Sequence, residues 1–479
     1  MVEESKASRA RETAVVFVLL FALKIVGLTV DPTIRLFFGD SGSYLHSALT
    51  GWIPPDRSFL YGIFIRWTAL AAQSMIALAL AQSMLGAITA CLLYRILRDS
   101  FAAPQGLATA LALVLALEPA QLFYERMIMA ESAGTTALVL MLYAGVAWLR
   151  RPHWAWPLLW ALAGITAVAF RMSALPIVLG FALLPPVVSA LFARPRPAAT
   201  VLGLHLALAA ITTFALHDGY KRWYGYLSDT APDYLVDTGA FRLGLVAPLV
   251  TRDEIVRAGL PADLPDRIGP SLADPRAREA QIWLADGLIA QIRSETKDPR
   301  VMRKLAAYAL RGDPWGLARL GWATTTDYFD ASVTASRMED DLGTQAADAD
   351  LTAKLRACCA YDVTGVESRR NPALRYFAAA KVWLIACYLG LLPLAALALA
   401  VQWQRARAAA GLVAFFACGM FLSQMLFSHI VSFRYLHPFP FVALLCVGAI
   451  CCRRQLSVAS ESAAKVGPLD DVAIARASG

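Results

Sequence analysis

Continuous apolar runs of about 20 residues recur along this chain, the length a helix needs to cross the ~30 Å hydrocarbon core of a bilayer. They lack the apolar–polar alternation of a membrane β-barrel. Ten are counted, at 13–30, 67–94, 103–117, 132–149, 154–170, 174–192, 198–216, 381–401, 409–430 and 435–451. The first resembles the apolar core of a signal peptide. No small-residue cleavage site follows it, and Val30-Asp31-Pro32 reads as the start of a loop, so it is kept as an uncleaved span. With 58% hydrophobic residues and a mean hydropathy of +0.53, the 479 residues read as an all-α polytopic membrane protein. The expectation is about ten transmembrane helices with an inserted, mostly helical extracytoplasmic domain.

The net charge of +8 is unevenly spread. Residues 217–372 carry 23 acids and 20 bases, and the rest of the chain carries 13 acids and 24 bases. Such an asymmetry is that of membrane topology, and no nucleic-acid partner is expected. Arg95 and Arg98, Arg150 and Arg151, Arg194 and Arg196, Arg405 and Arg407, and Arg453 and Arg454 fall on alternate loops, on the side of the N-terminus. The positive-inside rule makes that side the cytoplasm, and both termini cytoplasmic. Four segments follow. These are an N-terminal membrane body (1–216), an extracytoplasmic domain (217–372), C-terminal membrane helices (373–455) and a disordered cytoplasmic tail (456–479).

The inserted domain contains Asp274-Pro275, Asp298-Pro299 and Asp313-Pro314, each fitting a helix cap followed by proline in the first turn. Val301, Leu305, Tyr308 and Ala309 then recur at helical spacing. Two or three short strands between Tyr234 and Val250 stay open. The eight cysteines show no metal-ligand spacing. Cys358 and Cys359 are either two ordinary thiols or a strained vicinal disulfide.

Outside the insertion, six acids lie on short loops of the non-cytoplasmic side: Asp31, Asp40, Asp56, Glu118, Glu125 and Glu131. Ionisable groups beside a bilayer point to a functional site. No Walker loop, dinucleotide fingerprint or Gly-x-Ser-x-Gly elbow is present. The cytoplasmic loops are too short to hold a nucleotide-binding domain, so an activated substrate would arrive through the bilayer. Four patterns converge on the non-cytoplasmic face. They are Gly39-Asp40-Ser41-Gly42-Ser43-Tyr44, Asp56-Arg57-Ser58-Phe59-Leu60-Tyr61, the run from Tyr124-Glu125-Arg126 to Ala130-Glu131, and Phe433-Arg434-Tyr435-Leu436-His437-Pro438.

Together these motifs resemble the GT-C superfamily of integral-membrane glycosyltransferases. They look nearest the bacterial branch related to protein mannosyltransferases and lipid A aminoarabinose transferases. The resemblance covers roughly residues 10–216 and 373–455 and rests on motif order and topology. It implies a polyprenyl-phosphate sugar as donor and a lipid, glycan or protein acceptor. It also implies transfer with inversion in a bacterial inner membrane, with the active site extracytoplasmic. Asp40 matches the loop acid that would serve as general base, taking the proton of the acceptor; otherwise it is a turn or cap acid. Glu131 matches the acid closing the second loop, where it would orient acceptor or sugar; otherwise it is an acid favoured by the helix dipole. Glu125 is the reserve, with a pairing to Arg126 as the plainer reading. Arg434 matches the arginine of the family's Arg-Tyr pair and would hold the departing phosphate, with Arg57 and Arg171 as further contacts. Lys221 and Arg222 are weaker candidates. His217, His429 and His437 read as helix-end or packing residues. Tyr44, Tyr61 and Tyr435 would line a sugar or prenyl groove, or else anchor the interface.

Many members carry a second acid beside the one matched by Asp40, and here Ser41 stands there. No cofactor is therefore expected. A divalent cation would need further oxygen ligands, such as Glu131 or Glu125. Two other readings remain: a flippase for a lipid-linked glycan, for which Lys24 is the main interior charge, and an inactive member acting as an assembly subunit.

Overall fold

The computed structural model describes residues 2–193, 197–343, 346–366 and 368–452. Arg194, Arg196, Arg453, Arg454 and the 456–479 tail lie outside the described residues. The N-terminal body runs through α1 (Val2–Val30), α2 (Phe38–Thr50), α3 (Phe59–Ile65), α4 (Met75–Ser100), α5 (Gln105–Ala116) and α6 (Pro119–Tyr124). It continues with α7 (Glu131–Arg150), α8 (Ala155–Phe170), α9 (Leu175–Phe181), α10 (Leu184–Phe192) and α11 (Ala199–Ser228). The insertion holds α12 (Thr238–Val246), α13 (Arg252–Arg257), α14 (Arg278–Trp283), α15 (Leu288–Glu295), α16 (Arg300–Gly312), α17 (Gly316–Asp327), α18 (Ala331–Asp341) and α19 (Ala349–Cys359). The chain returns through α20 (Pro372–Ala379), α21 (Lys381–Leu389), α22 (Leu391–Gln402), α23 (Arg407–Phe427), α24 (Phe433–Leu436) and α25 (Phe439–Cys451).

Among the described residues, seven helical stretches are long and apolar enough to cross a membrane: Ser8–Val30, Met75–Ser100, Glu131–Arg150, Met172–Phe192, Ala199–Ser228, Arg407–Phe427 and Phe433–Cys451. The pair α21 and α22, bent by 53°, adds an eighth when counted as one broken span. Pro393 explains the bend, since its ring removes an N–H donor and crowds the carbonyl four residues back. The remaining two expected spans are α5 and α8, of 12 and 16 residues, shorter than a full crossing.

Two boundaries differ from the sequence reading. The run at 67–94 does not form one span. Residues 66–70 close a short apolar helix with α3, the chain reverses through Gln73 at φ +50°, and α4 starts only at Met75. No glycine or proline marks that reversal. Arg66, bonding back to the carbonyl of Ala48 at 3.0 Å, holds the first half in place. The run at 198–216 continues unbroken to Ser228, so the expected limit of the insertion falls inside α11.

Among the described residues there is no strand, and the 234–250 stretch forms α12 and a 3-10 turn at Ala247–Leu249. All eight cysteines are free, Cys358 and Cys359 included. Of the Asp-Pro pairs, Asp274 caps as expected, bonding the N–H of Arg276 at 2.8 Å. Asp298 bonds the N–H of Arg300 at 2.9 Å but stands one residue before the N-cap of α16, which is Pro299. Asp313 instead pairs with Arg319 through its side chain.

The insertion has two parts. Residues 240–309 bury a small core of their own around Leu243, Ile255, Leu288, Ile292, Leu305 and Ala309. Tyr328, Met338, Leu342, Leu355, Cys359 and Val363 join the core of the membrane body instead.

Charged groups gather at opposite ends of α7. Beyond its C-terminal Arg150, Asp99 bonds Arg95 at 2.7 Å and Arg150 at 3.4 Å, and Glu12 meets Arg98 at 3.3 Å. The N-terminus, the 95–99 turn and Arg150 therefore share one end, as the loop charges predicted. Glu131, at the other end, opens the second cluster.

Candidate active site

Two loops are stitched together to form the floor of that second cluster. Arg35 and Met127 make a parallel bridge, with Arg35 N–H on the Arg126 carbonyl at 2.9 Å and Ile128 N–H on the Arg35 carbonyl at 3.0 Å. Ser41 locks α2 onto the same strip. Its wholly buried hydroxyl donates to the Ile128 carbonyl at 2.9 Å and accepts from Phe37 N–H at 2.8 Å. That fixes the first turn of α2, where the helix dipole favours an acid and Asp40 stands.

Asp40 is held from two sides. Its Oδ1 meets Arg57 Nη1 at 2.5 Å and its Oδ2 meets Arg434 Nη1 at 2.7 Å. Arg57 precedes Ser58, which caps α3, and it also grips Asp56 through two nitrogens. Arg434 sits in the single-turn helix α24. Its guanidinium lies 4.7 Å from the ring centre of Phe37 and 5.0 Å from that of Tyr435, whose hydroxyl it also meets at 3.2 Å. Glu131, 4% exposed, stands between two cations, 3.6 Å from Arg434 Nε and 3.7 Å from Arg171 Nη2. Gly134, one turn along α7, lets the Arg171 stem lie flat, because a methyl there would come within 3.0 Å of its Cγ. Residues remote in sequence thus form one alternating group of three acids and three arginines at one end of the bundle.

The sequence candidates divide. Asp40, Glu131, Arg57, Arg171, Arg434 and Tyr435 come together. Tyr44 is buried one turn beyond Asp40, its ring edge on Tyr61 at 4.8 Å. Burial, then Asp40 and Glu131, raise the Tyr44 phenol far above its ordinary range, so it stays neutral. Tyr61 is fully buried and faces inward, donating to Gln82 Oε1 at 2.8 Å. Gln82 in turn bonds the carbonyls of Glu125 and Met127, so this tyrosine ties α3 and α4 to the second loop.

Glu125 lies apart from the cluster. It pairs with Lys24 at 2.6 Å, both side chains wholly buried, and accepts from Gln121 Nε2 at 2.8 Å. The expected pairing with Arg126 is not formed. Arg126 bonds the carbonyls of Asp31 and Leu122. Glu118 caps α6 and Asp31 caps α20 through Ala373 N–H. Lys221 lies over the Tyr234 ring and Arg222 pairs with Asp218, both away from the cluster. His217 bonds Tyr234, and His437 bonds Thr135 and Gln121, as packing residues do.

Asp341 was not singled out by sequence. It reaches in from the insertion and accepts hydrogen bonds from Ser432, Phe433 and Arg434. An acid among the 23 of a polar segment carries no local mark of burial. Among the described residues, no group of three or more His, Cys, Asp or Glu side chains is arranged to hold a metal ion.

A helical membrane body that gathers carboxylates and arginines at one end of its helices has the parts of an integral-membrane group-transfer enzyme. The comparisons with known proteins sharpen that class: residues 56–217 match the family model described as dolichyl-phosphate-mannose-protein mannosyltransferase, a family of the GT-C superfamily, and over that stretch the match supports a membrane glycosyltransferase of GT-C type. The matched stretch contains Asp56, Arg57, Glu131 and Arg171; Asp40 and Arg434 lie outside it. No curated protein matches the chain.

Proposed function

We propose that the enzyme moves a sugar from a polyprenyl-phosphate-linked donor to an acceptor hydroxyl or amine on the extracytoplasmic face of a bacterial inner membrane, with inversion. The observation that carries this reading is Asp40, a carboxylate suspended between Arg57 and Arg434. Donor phosphate takes up guanidinium contacts, since arginine grips phosphate through paired N–H groups. Those contacts are the ones that hold Asp40, so donor binding frees the carboxylate. Asp40 then accepts the acceptor's proton as the acceptor oxygen or nitrogen bonds the anomeric carbon. The bond from that carbon to the phosphate oxygen breaks, and polyprenyl phosphate leaves with the electron pair, its charge met by the arginines. Glu131 keeps Arg434 and Arg171 turned toward the site. Binding therefore runs donor first.

The transporter reading loses its main support, because Lys24 is neutralised inside the fold by Glu125. The absent second acid does not argue for an inactive protein either, since Ser41 is committed to anchoring α2.

The test is Asp40→Asn in reconstituted vesicles with a polyprenyl-phosphate sugar donor. Transfer should fall by at least about 100-fold. Affinity for polyprenyl phosphate should rise, because the charge competing for both arginines is gone. Undiminished transfer would refute the assignment of Asp40 as base.

A further inference from the structure

We propose that Asp341 is a positioning residue for Arg434, and that the insertion is thereby a structural wall of the phosphate site. This rests on the reading of Arg434 as the phosphate contact.

The geometry is specific to this segment. Asp341 ends α18, and its carboxylate is buried. It accepts from Ser432 Oγ at 3.0 Å, from Phe433 N–H, and from Arg434 N–H at 3.3 Å. Those two backbone donors open α24, where no partner within the helix exists for them. Tyr328, from the same insertion, closes the other side. Its hydroxyl donates to the Ser432 carbonyl at 3.1 Å and accepts from Ser432 N–H at 3.3 Å. Two insertion side chains thus hold the three residues from which the Arg434 side chain departs.

The same segment presses on the opposite wall. Gly343 takes φ +65°, and a methyl group there would come within 2.5 Å of the Leu36 carbonyl. Leu36 precedes Phe37, the ring beneath the Arg434 guanidinium. Residues 341–343 are therefore wedged between the loop bearing Arg434 and the loop leading to Asp40. The span between them decides whether an arginine reaches both carboxylates and an incoming phosphate.

Burial pushes the Asp341 carboxyl up to about 6, with Arg434, Ser432 and the two backbone N–H groups opposing it. The other groups facing it are Arg337 on its own helix and the phenols of Tyr124 and Tyr328. When protonated it presents an O–H toward a loop edge lined with N–H donors, and its hold loosens.

The experiment compares wild type and Asp341→Asn in donor and acceptor titrations across pH. Donor kcat/KM should fall by about 10- to 100-fold at neutral pH, with acceptor KM unchanged. The ratio of wild type to variant should shrink as pH drops below about 6; taking the ratio cancels the donor phosphate's own ionisation. Wild-type donor kinetics in the variant, or an equal loss toward donor and acceptor at every pH, overturns the proposal. If Asp341→Asn does not fold, Ser432→Ala takes its place, removing one donor: a several-fold loss in donor kcat/KM supports the proposal and no loss overturns it. A wild type that transfers nothing from the polyprenyl-phosphate donor refutes the proposed function instead, so the two failures are distinct.

Discussion

Asp40, in the first turn of α2, and Glu125, at the end of α6, are both carboxylates in close ion pairs, with Arg57 at 2.5 Å and Lys24 at 2.6 Å, and burial separates their roles. Asp40 keeps a quarter of its side chain exposed, so a substrate can displace a guanidinium from it. Glu125 and Lys24 are sealed, and removing one partner leaves the other charge without water or counter-ion. Glu125→Gln should cost roughly 3–5 kcal/mol of stability, read as a lower melting temperature in detergent. The double replacement Lys24→Met with Glu125→Leu should recover most of that loss, because it leaves no orphaned charge. Both variants, where folded, should keep the wild-type affinity for polyprenyl phosphate. Of the six loop acids, Asp40, Asp56 and Glu131 face arginines, whereas Asp31, Glu118 and Glu125 do structural work. Sequence grouped all six on short loops, but nothing local distinguishes a helix cap such as Glu118 from a cluster acid such as Glu131.

The first turn of α2 shows how one helix aims a functional group. Ser41 carries the anchoring, and its departure from the two-acid pattern has a mechanical reason: its hydroxyl both donates and accepts at a buried position. A carboxylate there could only accept, and would face the Ile128 carbonyl oxygen. Ser41→Ala should destabilise the protein by about 1–3 kcal/mol, the cost of leaving buried backbone groups unpaired. Ser41→Asp should be worse, because it buries a charge with no partner. Thermal unfolding in detergent ranks the two. An Asp variant as stable as wild type would show that this turn has room for the second acid after all.

Across the whole molecule, the insertion is built from two differently supported parts. Residues 240–309 close their own small core, whereas Tyr328, Leu342 and Leu355 pack into that of the membrane body. Hydrogen exchange should follow this division, since local opening tracks the packing that must be lost. Amides of α12, α15 and α16 should exchange together and sooner than those of α4, α7 and α25. The backbone amides at 433 and 434, bonded to Asp341, should be protected with the body. Early exchange there, in step with α16, would separate the insertion from the site.

Apolar length specified the helical, membrane-spanning class, because hydrocarbon thickness acts on short stretches of chain. Of the ten spans expected, seven helices and one bent pair are long and apolar enough to cross among the described residues; chain composition also missed the reversal at Gln73 and ran a boundary through α11. Which acids meet Arg434 was decided by packing between stretches hundreds of residues apart. Asp40 touches Arg434 only because the first and last loops meet at one end of the bundle. Lys24 finds Glu125, and Asp341 finds the backbone of Arg434, for the same reason. A buried partner is a property of the assembled core, and no neighbour in sequence announces it.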